Sequence, residues 1–111
     1  MHRLTDASSN SSTALLLAAA APCISAPIWE EALYRGFCLP LLSRYLSVPA
    51  AVCLSSLLFA SHHLNIETLL PLSALGALWA QLYIHCNNLL VPIAMHAMWN
   101  LRVFISCFLY L

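Results

Sequence analysis

The stretch Glu30-Glu31-Ala32-Leu33-Tyr34-Arg35 places three charged residues between two apolar ones, Ala26-Pro27-Ile28-Trp29 and Gly36-Phe37-Cys38-Leu39. At the centre of a bilayer helix a charged side chain costs about 2.5–3.5 kcal/mol on insertion scales, so adjacent carboxylates there need a compensating reason, and chemistry is one. Glu31 and Arg35 are spaced to share a helical face and pair, with the glutamate first, the favoured order. Glu30 points about 100° away. A carboxylate free of such pairing in a low-dielectric place is a tunable proton acceptor. The plainer reading is a solvated helix start at the membrane surface, with both glutamates and Arg35 in water.

Two further polar sets follow. Phe59-Ala60-Ser61-His62-His63 puts His63 one helical turn after Phe59, where the aromatic ring can orient the imidazole. His62 points elsewhere. One of the two must face a helix bundle, because histidine is unfavourable against lipid, and a structural hydrogen bond would satisfy it as well as catalysis would. His96-Ala97-Met98-Trp99-Asn100 sets an imidazole and a carboxamide on one stripe. Two convergent donors suit a developing oxyanion, where loss of one typically costs ~10²–10³ in rate. The same pair also serves as interhelical glue.

The elements that must position these residues are membrane helices. The chain of 111 residues is 62% hydrophobic and 7% charged, with a mean hydropathy of +0.85 and no lysine. Soluble domains are about 25% charged. About four crossings of ~20 residues fit in this length, within one domain. Formal net charge is zero and basic runs are absent, which sets nucleic acid aside as a partner. Cys23, Cys38, Cys53, Cys86 and Cys107 are scattered without a CxxC pair and read as packing residues.

Residues 1–13 read as a polar, flexible tail, and 14–111 as the membrane domain. The run Ala14–Ala21 imitates a signal peptide, but cleavage near Ala26 would leave the carboxylate motif at a new N-terminus. A helix is expected from Ser25 or Pro27 to about Tyr45, bent at Pro40. A second apolar segment, Ala50–Leu64, opens after Val48-Pro49. A third, Leu69–Cys86, follows the polar break Asn65–Thr68, and a fourth, Leu89–Leu111, follows the turn Asn87-Asn88. With no period-2 pattern, the fold class is all-α, a polytopic bundle of about four to five helices. Arg3, Arg35, Arg44 and Arg102 are too few to set an orientation. The polar sets lie about 30 residues apart, one helix and its turn, so a bundle can gather them in one wet cavity.

This pattern resembles the CPBP intramembrane proteases, which include the type II CAAX prenyl endopeptidases and the bacteriocin-immunity-like Abi proteins. Glu30, Glu31 and Arg35 match the first motif, EExxxR. Phe59 and His63 match FxxxH, and His96 and Asn100 match HxxxN. The resemblance covers roughly residues 22–105 and includes the approach Asn88–His96. It implies hydrolysis of a peptide bond without a covalent intermediate, with Glu30 and His63 activating water and His96 and Asn100 stabilising the oxyanion. Glu31, Arg35 and Phe59 would support them. It implies a membrane-attached protein substrate, such as a prenylated CaaX end, and an integral location in the endoplasmic reticulum, a plastid or a bacterial inner membrane. Cofactors are expected to be none. If zinc were present, Glu30, His63 and His96 would be its ligands, although no HExxH helix exists. Family members carry further helices before the first motif, so the domain reads as incomplete on its N-terminal side. Two other functions fit the polar residues: a non-catalytic membrane scaffold or immunity-type binding protein, and a proton or ion pathway, the latter without repeat symmetry.

Overall fold

The computed structural model describes residues 8–110 and has helices joined by short loops, with no strand among them, as the periodicity predicts. The first rod is built of α1 (Ser8–Ala20), a π-helical stretch Ala21–Ser25, α2 (Ala26–Glu31), a second π-helical stretch Ala32–Cys38, and α3 (Leu39–Leu42). Three helices follow: α4 (Val48–Ser61), α5 (Leu69–Cys86) and α6 (Leu90–Leu109). The expected break near Ser25 is absent, because the apolar run runs on into the motif helix. The helix already covers Ser8–Thr13, the last part of the predicted polar tail, and residues 1–7 lie outside the described part.

Two prolines explain the π-helical stretches. A proline inside a helix donates no N–H and its ring collides with the carbonyl four residues back. Here the chain widens ahead of each one. Ala26 N–H reaches back to Ala21 O just before Pro27, and Leu39 N–H reaches back to Tyr34 O just before Pro40. The wider turns keep the rod continuous where a bend at Pro40 alone was expected; the first precedes the Glu30–Arg35 motif and the second runs through its later part, Arg35 included. Such insertions are frequent at functional sites.

Among the described residues, three helices are long and apolar enough to cross a bilayer: Ser12–Leu42, Leu69–Cys86 and Leu90–Leu109. Their large apolar side chains face outward, among them Trp29, Phe37, Leu78 and Met98, as lipid contact demands. The protein is an integral membrane protein. α4 has 14 residues, about 21 Å at 1.5 Å per residue, short of a ~30 Å hydrocarbon core. It starts at Ser47, whose hydroxyl accepts from Ala50 N–H at 3.4 Å, and runs back along the rod. Its C-terminal end stops beside Tyr34 and Arg35, part-way along the rod.

α5 returns antiparallel against α4. The facing stripes are Ala51, Val52, Ser55, Ser56, Phe59 and Ala60 on α4, and Gly76, Trp79 and Ala80 on α5, mostly small residues that let the backbones approach. Asn87 ends α5 in the left-handed conformation at φ 48°, donating its N–H to Tyr83 O at 2.8 Å. Asn88 Oδ1 then accepts from Leu90 N–H at 3.0 Å, so the predicted Asn87-Asn88 turn starts α6. α6 lies antiparallel to the rod.

Candidate active site

Residues of all three motifs, Glu30, Glu31, Arg35, Phe59, His63 and His96, meet where α4 ends. Glu31 is fully buried and Arg35 is 1% exposed. Arg35 Nε lies 3.4 Å from Glu31 Oε2, the i, i+4 pair the spacing implies. Glu31 Oε1 meets His96 Nδ1 at 2.8 Å, across 65 residues of sequence. The other ring nitrogen, Nε2, is 3.2 Å from Glu30 Oε2. His96 therefore bridges the two adjacent glutamates. The 100° between them on the helix is what lets one carboxylate take each side of the ring.

Glu31 and Arg35 form the closed floor of the site. Glu30, at 17% side-chain exposure, sits at its open edge. His62 and His63 are exposed at the end of α4 and act electrostatically on the Glu30 carboxylate. His63 Nδ1 is 3.0 Å from the carbonyl of Phe59. A carbonyl only accepts, so Nδ1 carries the hydrogen and the neutral ring keeps its lone pair on Nε2.

Phe59 is the hub of the site. It is 1% exposed, and its ring stands edge-on to Tyr34, His63, Trp79 and His96 at centroid distances of 5.5, 5.1, 5.9 and 5.8 Å. The Arg35 guanidinium lies 4.7 Å from its centroid. Trp79 stacks on His96 at 4.2 Å with 16° between the planes. Trp79, Tyr34 and Gly76 are the contributors that motif reasoning missed. One signal was available: Gly76 is one of only two glycines in the chain, and glycine inside a helix costs about 1 kcal/mol unless close packing needs it.

Asn100 is placed differently. Its Nδ2 donates to Pro22 O at 2.7 Å, two turns of the rod away from Glu30. The carbonyl is free because the i→i−5 register assigns it the N–H of residue 27, which is proline. One amide hydrogen of Asn100 is thus held by the rod, and the structure brings Glu30, Glu31, Arg35, Phe59, His63 and His96 together without a direct contact from Asn100 to that group.

Glu30, His63 and His96 are not gathered as one metal-ligand set. Among the described residues no group of three His, Cys, Asp or Glu side chains is so arranged, and both ring nitrogens of His96 face carboxylates. A groove of about 440 Å³ adjoins the open edge, lined by Leu33, Tyr34, Phe37, Leu41, Leu58 and His62 among others, and is almost wholly apolar.

Residues 12–102 match a family model described as type II CAAX prenyl endopeptidase Rce1-like. Comparison with curated proteins and with solved structures gives no match.

Proposed function

The chain belongs to the Rce1-like type II CAAX prenyl endopeptidases, a family of intramembrane proteases, and from that premise we propose that it hydrolyses a peptide bond in a membrane-attached protein substrate. The observation that carries this reading is the partly exposed carboxylate of Glu30, held 3.2 Å from His96 Nε2 and near enough to His62 and His63 to feel their charge. A water entering at that edge meets a base on one side and an imidazole on the other.

In the proposed reaction the water oxygen attacks the scissile carbonyl carbon while its proton passes to Glu30, assisted by His63. The carbonyl oxygen takes up the electron pair. His96 Nε2–H is assigned as a donor to that oxygen, together with the second amide hydrogen of Asn100 one helical turn further along α6, since Pro22 accepts only one. Collapse of the tetrahedral species breaks the C–N bond, and the proton on Glu30 leaves with the amine. Glu31 and Arg35 keep the His96 ring in register, and Phe59 holds His63. No step requires an ion. The apolar groove beside His62 suits a substrate whose anchor is a lipid chain, and a prenylated CaaX end is the substrate class proposed.

A second reading rests on a specific feature. His96 has both nitrogens on carboxylates and Asn100 has its amide on the rod, so each also satisfies the role of interhelical glue in a non-catalytic membrane scaffold. Incubation of the detergent-purified protein with a farnesylated CaaX peptide separates the two. Wild type should release the C-terminal tripeptide, and Glu30→Ala and His63→Ala should each reduce the rate by ~10²–10⁴. Equal cleavage by all three refutes the assigned roles. A folded wild type with no cleavage, whose Glu30→Ala variant keeps its binding partner, supports the scaffold.

A further inference from the structure

We propose that Gly76 of α5 is a positioning residue for the Glu30 carboxylate, acting from outside all three sequence motifs; the inference rests on the hydrolytic reading above. Four links connect the two. The Gly76 carbonyl accepts from Arg35 Nη2 at 2.6 Å, and Arg35 Nε faces Glu31 Oε2 at 3.4 Å. Glu31 Oε1 holds His96 Nδ1 at 2.8 Å, and His96 Nε2 faces Glu30 Oε2 at 3.2 Å. The chain thus begins on a backbone atom, which cannot change rotamer, and ends on the proposed base. The first and third links are hydrogen bonds and the second and fourth are charge contacts.

The guanidinium needs this anchor. Nε and Nη1 of Arg35 are buried without a hydrogen-bond partner of good geometry, so the bond from Nη2 to Gly76 O is the one that fixes the planar fork. Glycine is required for the approach. A Cβ at position 76 would stand 2.9 Å from Arg35 Nη2, 3.0 Å from Phe59 Cδ1 and 3.3 Å from the backbone of Ser56. The first two atoms belong to the site itself. The third is the facing helix, so α5 cannot retreat in that direction, and the added methyl must displace the fork or the Phe59 ring. Either movement is transmitted to His96, which both groups touch directly or through Glu31.

The test compares Gly76→Ala in two backgrounds, with the farnesylated CaaX peptide as substrate. In the wild-type background the variant should lose at least 20-fold in kcat with KM changed less than 3-fold, because the groove for the anchor is remote from α5. In an Arg35→Lys background, which has no Nη2 to displace and leaves only the contact with the Phe59 ring and Ser56, Gly76→Ala should lose less than 5-fold in kcat. A merely structural role predicts the same loss in both backgrounds, and that result overturns the proposal, as does a loss under 3-fold in the first. A second measurement needs no turnover and no folded Gly76 variant. In ¹⁵N-arginine-labelled protein, the Arg35 guanidinium, assigned by its disappearance in Arg35→Lys, should show slow rotation about Cζ–Nη2 and protected Nη2 hydrogens. Rapid averaging of the Nη signals overturns the anchor even if the protein proves not to cleave the peptide. Slow rotation in an inactive protein upholds the anchor and instead refutes the hydrolytic reading.

Discussion

Replacing Glu31 alone should destabilise the protein more than replacing Glu31 and Arg35 together. Glu31 is fully buried between Arg35 Nε at 3.4 Å and His96 Nδ1 at 2.8 Å, and Arg35 is 1% exposed. Removing one partner of a buried ion pair leaves the other charge uncompensated, a loss of about 3–5 kcal/mol, whereas exchanging both for apolar groups of similar volume is often near neutral. Glu31→Leu and Arg35→Met should therefore each lower the unfolding free energy by about 3–5 kcal/mol. The double variant still leaves His96 Nδ1 without its acceptor, worth about 1–3 kcal/mol, so it should sit about that far below the parent. Simple addition would put it about 6–10 kcal/mol below. The assay is reversible unfolding in mixed micelles followed by fluorescence of the three tryptophans, of which Trp79 stacks on His96 and reports the site directly. Additive losses would refute the claim that these two charges neutralise each other in a closed interior. The double variant should also remain inactive, since a stable fold without Glu31 no longer fixes the His96 ring.

Three other outcomes follow from separate parts of the structure. Asn100→Leu should cost about 1–3 kcal/mol by stranding the Pro22 carbonyl, and distinctly less when Pro27→Ala supplies the missing N–H; equal costs in the two backgrounds, measured in the same micelles, would refute the account of that carbonyl. Leu64 sits in the left-handed region at φ 54°, where a side chain costs roughly 1–2 kcal/mol, so Leu64→Gly should leave stability unchanged or raise it by up to about 1 kcal/mol, and a clear fall would contradict the strain. Peptide cleavage should persist after dialysis against a strong zinc chelator, and loss that added zinc restores would refute ion-free water activation.

The parts legible in the sequence are those governed by local spacing. The i, i+4 relation of Glu31 to Arg35 and of Phe59 to His63 follows from helix geometry, and the Asn87-Asn88 turn from its residue types. The polar break at Asn65–Thr68 is a real loop, closed by Glu67 N–H on Asn65 Oδ1 at 3.0 Å. Legibility fails where a contact depends on which face of another helix arrives. Trp79 looks like any aromatic in an apolar run until α5 turns it against His96. The continuous first rod was hidden for a different reason: Pro22, Pro27 and Pro40 all argue for interruption, and only the shift to i→i−5 bonding lets the chain absorb two of them without breaking. That shift also frees the Pro22 carbonyl, so the site of Asn100 was written in Pro27, five residues beyond its acceptor, rather than in the HxxxN motif.

Why the ionisable groups share one place follows from counting donors and acceptors. A carboxylate oxygen only accepts unless it is itself protonated, so each His96 contact needs a hydrogen on one side or the other. With both glutamates ionised, Arg35 charged and the ring carrying two hydrogens, the four groups sum to zero, the one arrangement that puts two carboxylates and a guanidinium in a low-dielectric interior without net charge. Any three of them would carry a unit charge. In the proposed reaction, transfer of a water proton to Glu30 would disturb that balance by one charge at the partly exposed member of the set, beside the exposed His62 and His63, where solvent can respond. Placing the proposed proton acceptor on the outer rim and the compensating pair on the closed floor would thus allow a charge to move during that reaction while the interior that holds the helices together stays neutral. A short α4 is what makes this possible: a helix that ran the full thickness would cover Glu30 with lipid-facing side chains and close the rim.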